Sequence, residues 1–117
     1  IMVEWFKAAR AGFPEGELYL NDYANHDLVA DKGHCEHFFR TAKFLLDKGA
    51  PLTGLGVQGH IGGQPNPPER VLATLDAYAS LGLPIRITEF DIDTDDESLQ
   101  ADYTRDFLIL AYSHPSV

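Results

Sequence analysis

Apolar residues recur at helical spacing in four stretches of the chain, and each repeat predicts a helix with one buried stripe. Met2, Val3, Phe6 and Ala9 form the first stripe, and Phe38, Phe39, Ala42, Leu45 and Leu46 the second. The second ends at Gly49 and Pro51, a helix-stopping pair. Val71, Leu72, Leu75, Tyr78 and Ala79 form the third, opened by Pro67-Pro68 and closed by Gly82 and Pro84. Leu99, Tyr103, Phe107 and Leu110 form the fourth, stopped by Pro115. Three short apolar runs lie between them: Glu17 to Asn21, Gly54 to Gln58 and Pro84 to Thr88. None alternates cleanly, as expected of strands covered on both faces in a parallel sheet. The order is a helix followed by three strand–helix units, which reads as α/β with right-handed crossovers. The strand centres repeat about every 30–36 residues, the size of one such unit.

Each predicted strand ends in a polar cluster: Asn21-Asp22-Tyr23, Gln58-Gly59-His60 and Thr88-Glu89-Phe90-Asp91. Parallel α/β folds bind ligands at the carboxyl ends of their strands, so three clusters in equivalent places predict one shared mouth.

Composition narrows the partners. Apolar residues make up 44% and charged residues 23% of the 117, which excludes a disordered tail or a fibrous repeat. Eighteen acids against nine bases leave a net charge of −9, which would repel the phosphates of a nucleic acid. The single cysteine, Cys35, has no internal partner for a disulfide. The longest apolar run, Phe107 to Tyr112, is far too short to span a membrane. The chain starts at Ile1 without a basic-then-apolar leader, and is expected to be a segment of a longer protein.

The clusters also carry chemistry. Glu89 alone could simply open a loop, and His60 alone could be a hydrogen-bonded core histidine. Together with Asp91 they can form a relay in which an imidazole keeps one carboxylate ionised and oriented by leaning on the other. Nucleophilic attack at a sugar carbon needs such a carboxylate. Tyr23 is either a packing aromatic or a ring that stacks on a sugar face. Asp91-x-Asp93-x-Asp95 reads poorly as a calcium loop, because Asp96 and Asp102 stand where Gly and Glu belong. Asp95, Asp96 and Glu97 are better placed to favour the positive end of the fourth helix. His34-Cys35-x-His37 lacks the spacing and the second cluster of a zinc site, and Cys35 is expected to be a small buried residue. No metal site is expected.

Three segments resemble successive motifs of glycoside hydrolase family 10: Leu18-Tyr-Leu-Asn-Asp-Tyr23, Gly56-Val-Gln-Gly-His60 and Ile87-Thr-Glu-Phe-Asp-Ile92. That family comprises endo-1,4-β-xylanases on a (β/α)8 TIM barrel. The resemblance implies that residues 1–117 are one segment of such a barrel, incomplete at both ends. It would hold strands five to seven as three parallel βα units, with a preceding helix. It implies that Glu89 is the catalytic nucleophile, that His60 bonds it and that Asp91 orients His60. By the same resemblance Gln58 lines the cleaved-bond subsites and Tyr23 stacks on the sugar beyond the scissile bond. The implied substrate is xylan or a xylo-oligosaccharide, cleaved without a cofactor, in an extracellular or periplasmic setting. Ala24 stands where the family usually has Asn, Gly59 replaces a common Ser, and Phe90 replaces a usual Leu. The acid/base glutamate belongs to an Asn-Glu pair on the fourth strand, and no such pair occurs in this chain. The chain alone is therefore expected to be inactive. It is also expected to self-associate through open sheet edges, with Val57 and Ile87 directed into the barrel interior.

Two other classes compete. A phosphate-receiving signalling domain shares the length, acidity and element order, but needs a lysine after its last strand. Lys7, Lys32, Lys43 and Lys48 all fall on helices or loops. A non-catalytic carbohydrate-binding or assembly module derived from the same barrel would keep the cleft residues by descent.

Overall fold

A computed structural model describes residues 1–23 and 32–117. Seven elements follow in the predicted order. They are α1 (Met2–Gly12), β1 (Tyr19–Asp22), α2 (Lys32–Asp47), β2 (Gly54–Gly62), α3 (Pro68–Ala79), β3 (Ile85–Asp93) and α4 (Glu97–Ser113). The strands form one parallel sheet in the order β1-β2-β3. No helix among the described residues is long and apolar enough to cross a membrane.

The helix stops act as their residues require. Gly49 and Gly82 adopt φ of +70° and +74°, a conformation open to glycine at little cost, just after α2 and α3. Pro68 opens α3 at a position where no amide hydrogen is needed. Asp96 caps α4, its carboxylate accepting from the amides of Ser98 and Leu99 at 3.0 Å each. Asp96 thus serves the start of the helix, as its place in the acidic run suggested. Among the described residues no group of three or more His, Cys, Asp or Glu side chains is placed to hold a metal.

One face of the sheet is covered by helices and carries the core. Leu55, Val57 and Ile61 of β2 and Ile85 and Ile92 of β3 pack against Phe38, Ala42 and Leu45 of α2. Val71, Leu75 and Tyr78 of α3 and Tyr103 and Phe107 of α4 complete the cluster. Cys35 is fully buried near the start of α2, as expected. Covering a side chain such as Leu55 contributes about 1.5–3 kcal/mol, so this layer dominates the stability. The first predicted stripe is only half used. Val3 and Phe6 reach the core, whereas Met2 and Ala9 are exposed. The alternation of the strands also corrects the expected direction of Val57 and Ile87. Val57 is fully buried among the helices and Ile87 packs on the same cluster.

The opposite face is polar, and glycine shapes it. Gly54 and Gly56 leave room over β2 that Tyr19 and Asn21 of β1 fill. A Cβ on Gly54 would collide with the Tyr19 ring, and one on Gly56 would meet the Asn21 Oδ1 at 2.5 Å. Arg86 of β3 reaches the same layer, its guanidinium 4.7 Å from the centre of the Tyr19 ring and 2.5 Å from Glu17 Oε2.

Both β2 and β3 run nine residues, well past the ends predicted from the apolar runs. The polar clusters of these two strands therefore lie within β2 and β3 and not beyond them. Backbone pairing continues through His60–Asp91 to Gly62–Asp93 because parallel pairing is indifferent to side-chain polarity.

Candidate active site

The register places the chemistry. Val57 pairs with Ile87, but Gln58 pairs with Glu89, so Thr88 is an extra residue in β3. This bulge reverses the alternation of the strand. Ile85 and Ile87 face the helices before it, and Phe90 and Ile92 face them after it. Thr88 and Glu89 therefore share the open face although they are consecutive. Without the extra residue Glu89 would follow Ile85 and Ile87 into the helix-covered core.

Once on the open face, Glu89 meets His60. His60 Nε2 lies 2.9 Å from Glu89 Oε2, and His60 Nδ1 lies 2.6 Å from Asp91 Oδ2. The three side chains stay about half exposed, at 46%, 45% and 59% for Glu89, His60 and Asp91. The hydrogen bond to Asp91 and then that to Glu89 raise the His60 pKa above its ordinary 6.5. An imidazolium donates from both nitrogens at once, whereas the neutral ring donates from one. The arrangement thus favours a cation flanked by two carboxylates. Of the Glu89 carboxylate, Oε2 is the oxygen that the ring engages.

Gln58 sits beside Glu89 in register and half-buried. Tyr23 lies at the rim, just past the end of β1. Its amide donates to Asp22 Oδ1 at 2.9 Å, and its ring lies 4.9 Å from that of His34 and is 60% exposed. Ala24 lies outside the described residues. The structure thus brings Glu89, His60 and Asp91 into direct contact, sets Gln58 next to them, and leaves Tyr23 at the margin.

The two unusual residues of the motifs fit each other. Gly59 and Phe90 are partners across the strands, and a Cβ on Gly59 would stand 3.3 Å from the Phe90 ring. Phe90 also stacks on Phe107 with ring centres 4.7 Å apart. The side chain absent at position 59 is space into which the larger ring at position 90 fits. A role for Asn21 and Thr88 was not legible in the strand clusters. Thr88 Oγ1 donates to Asn21 Oδ1 at 2.9 Å across Gly56. The signal was the Gly54-x-Gly56 spacing, which empties one face of β2 for its neighbours' side chains.

Known proteins resemble this chain in fold and in sequence. The profile of Glycosyl hydrolase family 10 matches residues 2–113. The chain is 37% identical over all 117 residues to endo-1,4-beta-xylanase 1 of Arabidopsis thaliana, covering 12% of that protein. It is 36% identical over 99 residues to a thermostable celloxylanase of Thermoclostridium stercorarium, covering 84% of this chain and 24% of that one. Among solved structures, xylanase 10B of Thermotoga maritima superposes with a TM-score of 0.83 at 27% identity, over 99% of this chain and 37% of that one. Xylanase 10B of Thermotoga petrophila, in complex with xylobiose, gives 0.84 at the same identity and the same coverage. The chain therefore spans roughly a tenth to a quarter of these curated relatives' length. Its three parallel strands and their helices form part of a TIM barrel. The chain belongs to glycoside hydrolase family 10.

Proposed function

We propose that residues 1–117 are one segment, incomplete at both ends, of a retaining endo-1,4-β-xylanase, and that Glu89 is its nucleophile. The observation that carries this reading is the His60 imidazole bonded to Glu89 on one nitrogen and to Asp91 on the other. Glu89 would attack the anomeric carbon from one face as the bond to the leaving sugar's oxygen breaks. A second carboxyl group would give that oxygen its proton, then take one from the water that cleaves the glycosyl-enzyme. His60 would hold the anionic form of Glu89 before attack and on its release, with Asp91 orienting the ring. Gln58 would line the subsites on either side of the cleaved bond, and Tyr23 would stack on the sugar beyond. The chemistry calls for no metal or organic cofactor. The substrate would be xylan or a xylo-oligosaccharide, in keeping with the names of the relatives.

The second carboxyl group would be contributed by another part of the barrel. Retaining cleavage needs the pair about 5–5.5 Å apart, and Asp91, bound to His60, is committed to orienting that ring. In the full-length protein, xylo-oligosaccharide hydrolysis followed by NMR should give the β-anomer first. Release of the α-anomer first, or no hydrolysis, would contradict the reading, the latter favouring a non-catalytic binding module.

The isolated chain should release no reducing sugar. Among the described residues its sheet ends at β1 and β3, and Trp5, Ile109 and Tyr112 are 64%, 59% and 92% exposed. Unpaired parallel edges beside exposed apolar residues favour association. Sedimentation should therefore show a mass that rises with concentration, and a monomer that melts cooperatively at all concentrations would contradict the expectation.

A further inference from the structure

The bulge that turns Glu89 to the open face has a visible fastening. Thr88 is the residue left out of the pairing when the register shifts between Val57 and Gln58. Its hydroxyl donates to Asn21 Oδ1 at 2.9 Å, reaching across β2 to do so. The bond forms because the strand between them carries glycine at position 56, where a Cβ would come within 2.5 Å of that same Oδ1. From the other face, Gly59 permits the backbone of β3 to come close at the bulge, since a Cβ there would lie 2.9 Å from the Glu89 carbonyl oxygen. An extra residue in a strand can be accommodated at several positions unless something fixes it, and a slip of one residue exchanges the faces.

We propose that Asn21 and Thr88 are positioning residues, whose hydrogen bond fixes the β3 bulge and so seats Glu89 against His60. The proposal rests on the reading of Glu89 as nucleophile only for its catalytic consequence; the placement of Glu89 stands apart from it. Thr88→Val keeps the shape and β preference of the side chain and removes the donor. Thr88→Ser keeps the donor.

The test uses the full-length protein and two readouts, the titration of the His60 imidazole by NMR and the hydrolysis of an aryl β-xylobioside. In Thr88→Val the His60 midpoint should fall toward 6.5, because the ring loses its bond to Glu89. Its kcat should fall by about tenfold, the rate equivalent of one lost hydrogen bond, with KM within about twofold. Thr88→Ser should restore both. If Thr88→Val does not fold, Asn21→Ala interrogates the same bond from its acceptor and should lower the His60 midpoint likewise. An unchanged His60 midpoint in a folded Thr88→Val or Asn21→Ala protein overturns the proposal. A lowered midpoint combined with a Glu89→Gln protein of undiminished activity would leave the seating intact and refute the nucleophile instead.

Discussion

Glu89→Gly in the full-length protein should lower kcat on an activated aryl β-xylobioside by at least about 10⁴-fold, since no covalent intermediate can form. Adding azide should restore much of the turnover. In the proposed mechanism the missing side chain would leave a space under the anomeric carbon, where a small anion could attack while the acid catalyst and the sugar subsites stayed in place. One displacement inverts where two retain, so the product should be the α-glycosyl azide. Gln58 and His60 neighbour position 89 on the open face and are left unchanged by the substitution. Near wild-type activity without azide, or a β-configured azide product, would place the attacking group elsewhere.

His60→Ala should slow the same reaction by about 10–100-fold, the range for removing a charge-assisted hydrogen bond from a reacting group. The loss should be smaller than for Glu89 because, in the proposed mechanism, the imidazole forms no bond to the sugar. It also changes how stability depends on pH. The bonds to Asp91 and Glu89 raise the folded-state pKa of His60 above 6.5. Their stabilising contribution is therefore complete below 6.5 and disappears as pH rises through the raised folded-state value. The difference in Tm between wild type and His60→Ala should be greatest in mildly acidic solution and shrink toward alkaline pH. A Tm difference that grows with pH would mean that the ring is held neutral in the folded protein.

Much of this arrangement could be read from residue types alone. The spacing of Phe38, Ala42 and Leu45, and of Val71, Leu75 and Tyr78, gave the helices their buried faces, because apolar residues at a 3.6-residue period line up only when the backbone is helical. The order of strands and helices followed from the same periodicity. The pairing of His60 with Glu89 and Asp91 was foreseeable from motif resemblance, and the geometry brings those side chains together. Strand length was harder. Polar residues such as His60 and Asp91 look like the ends of apolar runs, yet the ladder continues beneath them. Their polarity hid the alternation, and with it the direction of Val57 and Ile87. The switch from Ile85 and Ile87 to Phe90 and Ile92 is written in the sequence. It becomes readable as a bulge only once the whole span is known to be one strand. Tyr23 shows another limit, since whether its ring meets a sugar or packs on His34 is decided by the neighbouring helix, not by its own segment.

The identity of the nucleophile is tested most directly by trapping it. A 2-deoxy-2-fluoro-β-xylobioside with a dinitrophenolate leaving group forms the glycosyl-enzyme by loss of that leaving group. The fluorine then slows hydrolysis enough for the ester to persist. Proteolysis and mass spectrometry of the full-length protein should find the added disaccharide on the peptide that contains Glu89, with fragmentation assigning it to that carboxylate. A label on any other residue, with Glu89 unmodified, would contradict the account.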